Sequence, residues 1–128
     1  MKYLLVLVML ITAPAQAGWT KVNSSNGTDF YIDFATVKAE GTKRTTWQLT
    51  NYSTPQSLVD VYYLSSSARV EFDCKEEKSR LLTITVFSMR NADGKPLLTV
   101  DEPTKWSDIA PYTTARGILN TVCKLTAR

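Results

Sequence analysis

Chemistry at neutral pH needs a nucleophile, a base or a metal ligand, and this sequence is short of all three. It has 128 residues, no histidine and two cysteines. Without histidine there is no Ser-His-Asp or Cys-His arrangement, no HExxH zinc site and no ordinary proton shuttle. Among the carboxylates, Asp101 and Glu102 are neighbours, and neighbours on a strand point to opposite faces. Glu76 and Glu77 fall within Lys75-Glu76-Glu77-Lys78, which reads as a solvated hairpin turn. No GxSxG or SxxK frames a serine, and the five glycines are scattered singly, so no phosphate loop is present. The expectation is a protein that is not an enzyme, with no catalytic, cofactor-binding or metal-binding residues and no cofactor.

The residues with defined chemistry are Cys74 and Cys123. A reactive pair sits close together, as in CxxC, and a zinc site needs more ligands than two thiols. In an oxidising compartment the default is therefore a structural disulfide. Closing a loop of about 50 residues is worth about 4 kcal/mol in the chain-entropy model. The compartment follows from residues 1–17. A short positive start at Lys2, an apolar run from Leu4 to Ile11 and Ala15-Gln16-Ala17 together read as a cleaved signal peptide. That run is well short of the roughly 20 residues of a membrane span. Gly18 stands where a bacterial lipoprotein needs cysteine, so neither a span nor a lipid anchor is expected. Residues 18–128 then form a single exported domain, periplasmic or secreted to the cell surface.

Two surfaces are candidates for binding. Ser53 to Ser67 contains Leu58, Val59, Val61, Tyr62, Tyr63 and Leu64, too apolar for an idle loop. It either closes an open end of the core, forms a short strand, or docks a partner through Tyr62 and Tyr63. The second surface is cationic: Lys38, Lys43, Arg44, Lys75, Lys78 and Arg80 fall near strand ends and turns. Lys75, Lys78 and Arg80 are the candidate contacts there, against solubility and edge protection as the alternative. The formal charge of +3 is too small and dispersed to imply nucleic acid. The expected partner is a protein, and a homodimer is compatible with the sequence.

The elements that must position these residues are mostly strands. Trp19 to Asn23 opens, Ser24-Ser25-Asn26-Gly27 turns, and Thr28 to Asp33 alternates. A break near Phe34-Ala35-Thr36 leads to Val37-Lys38-Ala39, and Glu40-Gly41-Thr42 turns into Arg44 to Tyr52. Ala68, Val70, Phe72 and Cys74 alternate with charged residues, which puts Cys74 on the buried side. Arg80 to Met89 is apolar on both faces and is placed centrally. Pro96 to Val100 suits an edge. Ala115, Ile118, Leu119 and Val122 then share one helix face, with Thr113 or Thr114 as the cap. The result is an α+β domain: an antiparallel sheet of about six strands with a C-terminal helix packed on one face, pinned by a strand-to-helix disulfide.

The order of landmarks resembles that of the bacterial surface-adhesin protein E family. The front half is carried by Trp19, Tyr31-Ile32-Asp33, Gly41 and Trp47-Gln48-Leu49-Thr50-Asn51-Tyr52. The back half is carried by Ser65-Ser66, Glu71-Phe72-Asp73-Cys74, Arg80-Leu81-Leu82, Gly94, Trp106, Pro111 and Val122-Cys123. The resemblance implies the same sheet, helix and disulfide, and an outer-surface adhesin that binds host matrix proteins such as vitronectin and laminin. The alternative is a periplasmic envelope-accessory protein with no host ligand.

Overall fold

The structure is a computed structural model and describes residues 18–124. The proposed signal peptide lies outside the described residues. Seven strands follow one another: β1 (Trp19–Ser25), β2 (Thr28–Glu40), β3 (Lys43–Leu58), β4 (Val61–Asp73), β5 (Lys78–Phe87), β6 (Pro96–Val100) and the two-residue β7 (Ser107–Asp108). Among the described residues one α-helix, α1 (Thr114–Cys123), follows the strands, and a 3-10 turn at Arg90–Ala92 separates β5 from β6. The first six strands form an antiparallel meander in which each pairs with the next in sequence, and β7 pairs with the start of β5.

The turns follow local chemistry. Asn26 and Gly27 both take positive φ, 52° and 80°, which an Asn-Gly hairpin accepts without strain. The expected break at Phe34–Thr36 is instead a bulge inside a continuous β2, between the pairs Asp33↔Trp47 and Lys38↔Thr45. Thr36 makes the bulge tolerable. Its hydroxyl donates to the Asp33 carbonyl (2.6 Å) and accepts the Trp47 amide (3.0 Å), which the shifted ladder would otherwise leave unpaired.

Ala68, Val70 and Phe72 turn inward as their alternation requires, and Ile32 joins them across the sheet. α1 lays Ile118, Leu119 and Val122 on this surface, with Ile109 from the preceding segment. Each such side chain contributes about 1.5–3 kcal/mol when fully buried. Thr113 is the N-cap, accepting the Arg116 amide at 3.2 Å. Ala115, expected on the same apolar stripe, is exposed because the first helical turn stands over an open cleft. Cys74, one residue past β4, is joined to Cys123 at the end of α1 with Cα atoms 5.8 Å apart.

Two boundaries differ from expectation. The strand expected at Arg80–Met89 runs from Lys78 to Phe87, internal to the sheet but one place from its edge. Val86 is its one fully buried residue, and Leu81 and Ile84 are partly covered. The Ser53–Ser67 stretch is neither lid nor separate strand: it completes β3, turns at Val59-Asp60 and begins β4. β6 occupies an edge, as Pro96 suggests.

Candidate binding surfaces

The far end of the β3–β4 hairpin leaves the sheet as a finger. β2 pairs with β3 only as far as Asn51, and β5 pairs with β4 only as far as Ser65. Beyond them Gln56–Leu58 pair with Val61–Tyr63 alone. Between the two stretches Tyr52–Pro55 oppose only Leu64, a wide bulge that redirects the finger. Val59 and Asp60 form its tip with φ of 48° and 61°. A β-branched residue in the left-handed region is rare and costs about 1 kcal/mol or more. Val59 is 78% exposed and Tyr62 71% exposed, so two apolar side chains face water at a strained turn.

The base of the finger is held by buried polar groups. Asn51 donates to Asn91 Oδ1 (2.7 Å) and accepts the Asn91 amide (2.6 Å). Ser65 donates to the Met89 carbonyl and accepts the Ala92 amide (3.0 Å). Asn51 and Ser65 are both buried, so these bonds replace water that cannot enter. Arg90 adds a bond to the Tyr52 carbonyl (3.0 Å) and an ion pair with Asp29 (3.8 Å). The Ser24 hydroxyl and Lys21 ammonium beside Asp29 hold its carboxyl below the usual value. Tyr63 packs edge-on against Tyr52 with centroids 5.5 Å apart, and burial, with Tyr52 close by, pushes its phenol up. Tyr62 thus points to solvent while Tyr63 braces the base.

The six cations singled out by the sequence do not form one patch. Lys75 is exposed in the β4–β5 turn, where Asp73 accepts its amide. Lys78 pairs with Asp108 (3.8 Å), and Arg80 Nε with Glu71 (2.7 Å). Arg44 folds back onto the Gly41 and Lys43 carbonyls. Lys43 and Arg80 both lie over Trp106, at 5.6 and 4.7 Å from its ring centre. That arrangement joins residues more than 20 positions apart and had no local signal. Glu77, read as solvated, instead pairs with Arg116, while its carbonyl accepts the Ile109 amide (3.0 Å), tying this turn to the helix.

An open apolar cleft of about 390 Å³ lies where the start of α1 overhangs Phe30, Val70, Phe72 and Leu81. Among the described residues no group of three or more His, Cys, Asp or Glu is placed to hold a metal ion. No helix there is long and apolar enough to cross a membrane.

An antiparallel meander crossed by one C-terminal helix and stapled to it by a single disulfide defines a small α+β class of domain. The profile of the Surface-adhesin protein E family matches residues 19–124, and the chain belongs to that family. The fold agrees with solved structures of Haemophilus influenzae protein E. One crystal form superposes with a TM-score of 0.64 at 12% identity, over 84% of this chain and 88% of that one. Protein E from the non-typeable organism gives 0.59 at 12% identity, over 87% and 78%. No curated protein sequence matches the chain.

Proposed function

We propose that the protein is an exported, non-enzymatic binding module that holds a protein partner through the β3–β4 finger. Residues 1–17 act as its cleaved leader, and residues 18–128 are the working domain. The observation that carries this reading is the pairing of strain with exposure at the tip. Val59 keeps a positive φ that asparagine or glycine would adopt at less cost, and the turn displays apolar surface where a solubility role would favour polar residues. Membership of a surface-adhesin family supports a protein partner, and a host surface or matrix protein is the class we propose.

In this reading Tyr62 makes the contact and Tyr63 positions it. Lys75, Lys78 and Arg80 are a second proposed contact, at the opposite end of β4. Asp108 and Glu71 already hold Lys78 and Arg80, so Lys75 carries most of the free charge. Removing all three should weaken binding slightly and flatten its salt dependence.

The test is binding of the mature domain to immobilised laminin and vitronectin, paired with antibody labelling of intact and permeabilised cells. Labelling of intact cells and binding that Tyr62→Ser weakens about tenfold are expected. Labelling only after permeabilisation, with no matrix binding, would replace the adhesin reading by that of a periplasmic accessory protein.

A further inference from the structure

The face of the sheet turned away from α1 carries a trough that the finger does not use. Side chains alternate along each strand, so with Val70 and Phe72 in the core, Arg69 and Glu71 point to the other side. The register extends that side across four strands. One rung is Lys38, Thr45, Glu71 and Arg80, and the next is Asp33, Trp47, Arg69 and Thr83. Two depressions of about 380 and 430 Å³ meet there and share Lys38, Thr45 and Arg69. Lys43 and Arg80 line the first, and Trp47 lines the second.

The charges in this trough are unevenly satisfied. Glu71 is held by Arg80. Lys38, Lys43 and Arg69 have no carboxylate within ion-pair distance among the described residues. Glu40 and Glu71 are the carboxylates lining the two depressions, against four cations, a surplus of two positive charges in the lining, with Asp33 and Asp73 at its margins opposite Trp47 and Lys43. Lys38 and Arg80 stand three strand spacings apart, about 14 Å at the usual separation. The cations are therefore strung out rather than focused on one point.

We propose that this trough binds an anionic polysaccharide, a chain bearing sulfate or uronate groups. The argument for a sugar over an acidic peptide rests on the backbone. β3 and β4 are paired on both sides here, so their amides and carbonyls are consumed and cannot add a peptide strand. Recognition falls to side chains: Lys38, Lys43 and Arg69 for the anionic groups, the Thr45 hydroxyl for ring hydroxyls, and the Trp47 indole for an apolar sugar face. The site goes beyond the finger reading, stands on a separate surface and can fail independently of it.

The experiment uses the mature disulfide-bonded protein and three probes: a heparin-derived sulfated octasaccharide, a neutral dextran oligosaccharide and poly-glutamate. Calorimetry should show binding to the octasaccharide alone, weakening steeply as salt rises. The Lys38→Gln/Lys43→Gln/Arg69→Gln variant should bind about tenfold more weakly or worse, with unchanged near-UV circular dichroism. Tyr62→Ser should leave this binding intact while weakening that of the protein partner. The octasaccharide should also change tryptophan fluorescence, and Trp47→Phe should remove the part of that change not contributed by Trp106, which lies against Lys43 and Arg80. Failure to bind the octasaccharide, equal binding of poly-glutamate, or an unaffected triple variant would each overturn the proposal.

Discussion

The two ends of β4 are secured in different ways. At the Asp73 end the chain is tied to α1 by the Cys74–Cys123 bond, by the Glu77–Arg116 ion pair and by the Ile109 amide on the Glu77 carbonyl. At the Val61 end nothing covalent acts, and the finger hangs on Asn51, Ser65 and Arg90. One end is cross-linked, and its positive φ falls on the unbranched Glu77 (55°), whose carbonyl and carboxylate are both held. The other is held by polar bonds and presents a strained tip. The contrast indicates that the disulfide serves the body of the domain, and that the finger's rigidity is a local property set by a few buried side chains.

Removing the cross-link is the largest expected perturbation. The Cys74→Ser/Cys123→Ser variant should lose about 4 kcal/mol in denaturant unfolding, while exchange protection at the Asn51–Asn91 contact should fall only in proportion to global stability. A loss below about 1 kcal/mol would mean that the helix is held by packing alone and that the two ends are alike.

Asn51→Ala comes next. It removes both bonds that the buried Asn51 side chain makes to Asn91 and should cost about 1–2 kcal/mol. The sharper measurement is hydrogen exchange. Residues 52–64 should open faster than residues 70–74, whereas uniform acceleration would show that finger and body unfold together.

At the tip the sign reverses. Val59→Asn relieves a β-branched side chain at positive φ and should stabilise the protein by about 0.5–1 kcal/mol. The same change should weaken partner binding by removing apolar surface. A variant that gains stability and keeps full affinity would separate the strain from the function.

The smallest effect concerns acid. The Ser24 hydroxyl and Lys21 ammonium hold the Asp29 carboxyl below its ordinary range, so its contribution is present above about pH 4 and fades as pH falls through the folded pKa. Asp29→Asn should lower stability slightly above about pH 4, where the native carboxylate is ionised, and flatten the acid limb, so that the two proteins converge at low pH. An unchanged acid limb would remove Asp29 from the clamp at the finger's base.

What could be read from the sequence was what short-range rules govern. Alternation put Val70 and Phe72 inside, helical spacing selected Ile118, Leu119 and Val122, and the count and compartment of cysteines gave the cross-link. The Asn26-Gly27 turn announces itself, whereas in Val59-Asp60 only Asp60 is a turn residue and Val59 is carried into the left-handed region by the pairing of β3 with β4. The bulge at Phe34–Thr36 looked like a break because the bond that rescues it comes from Trp47, eleven residues away. Asn51 and Asn91 are 40 residues apart, and nothing local marks either as half of the pair that holds the finger's base. The same holds for Trp106 between Lys43 and Arg80. Tyr62 and Tyr63 were legible as a patch, but only the geometry divides them into a displayed ring and a bracing one.

The meander also has an order of completion. Every strand finds its partner in the stretch just made, so a chain emerging from its N-terminus can zip β1 through β6 as it appears. Yet α1, the last element, lies against β1, the first, with Gly117 beside Asn23 and Val22 packed on the cluster that the helix covers. The opening strand therefore stays unlatched until the final ten-residue helix arrives. A stalled or clipped chain lacking it would be an unfinished hairpin array with a bare apolar face and a lone thiol at Cys74, conspicuous to proteases and to disulfide-forming enzymes alike.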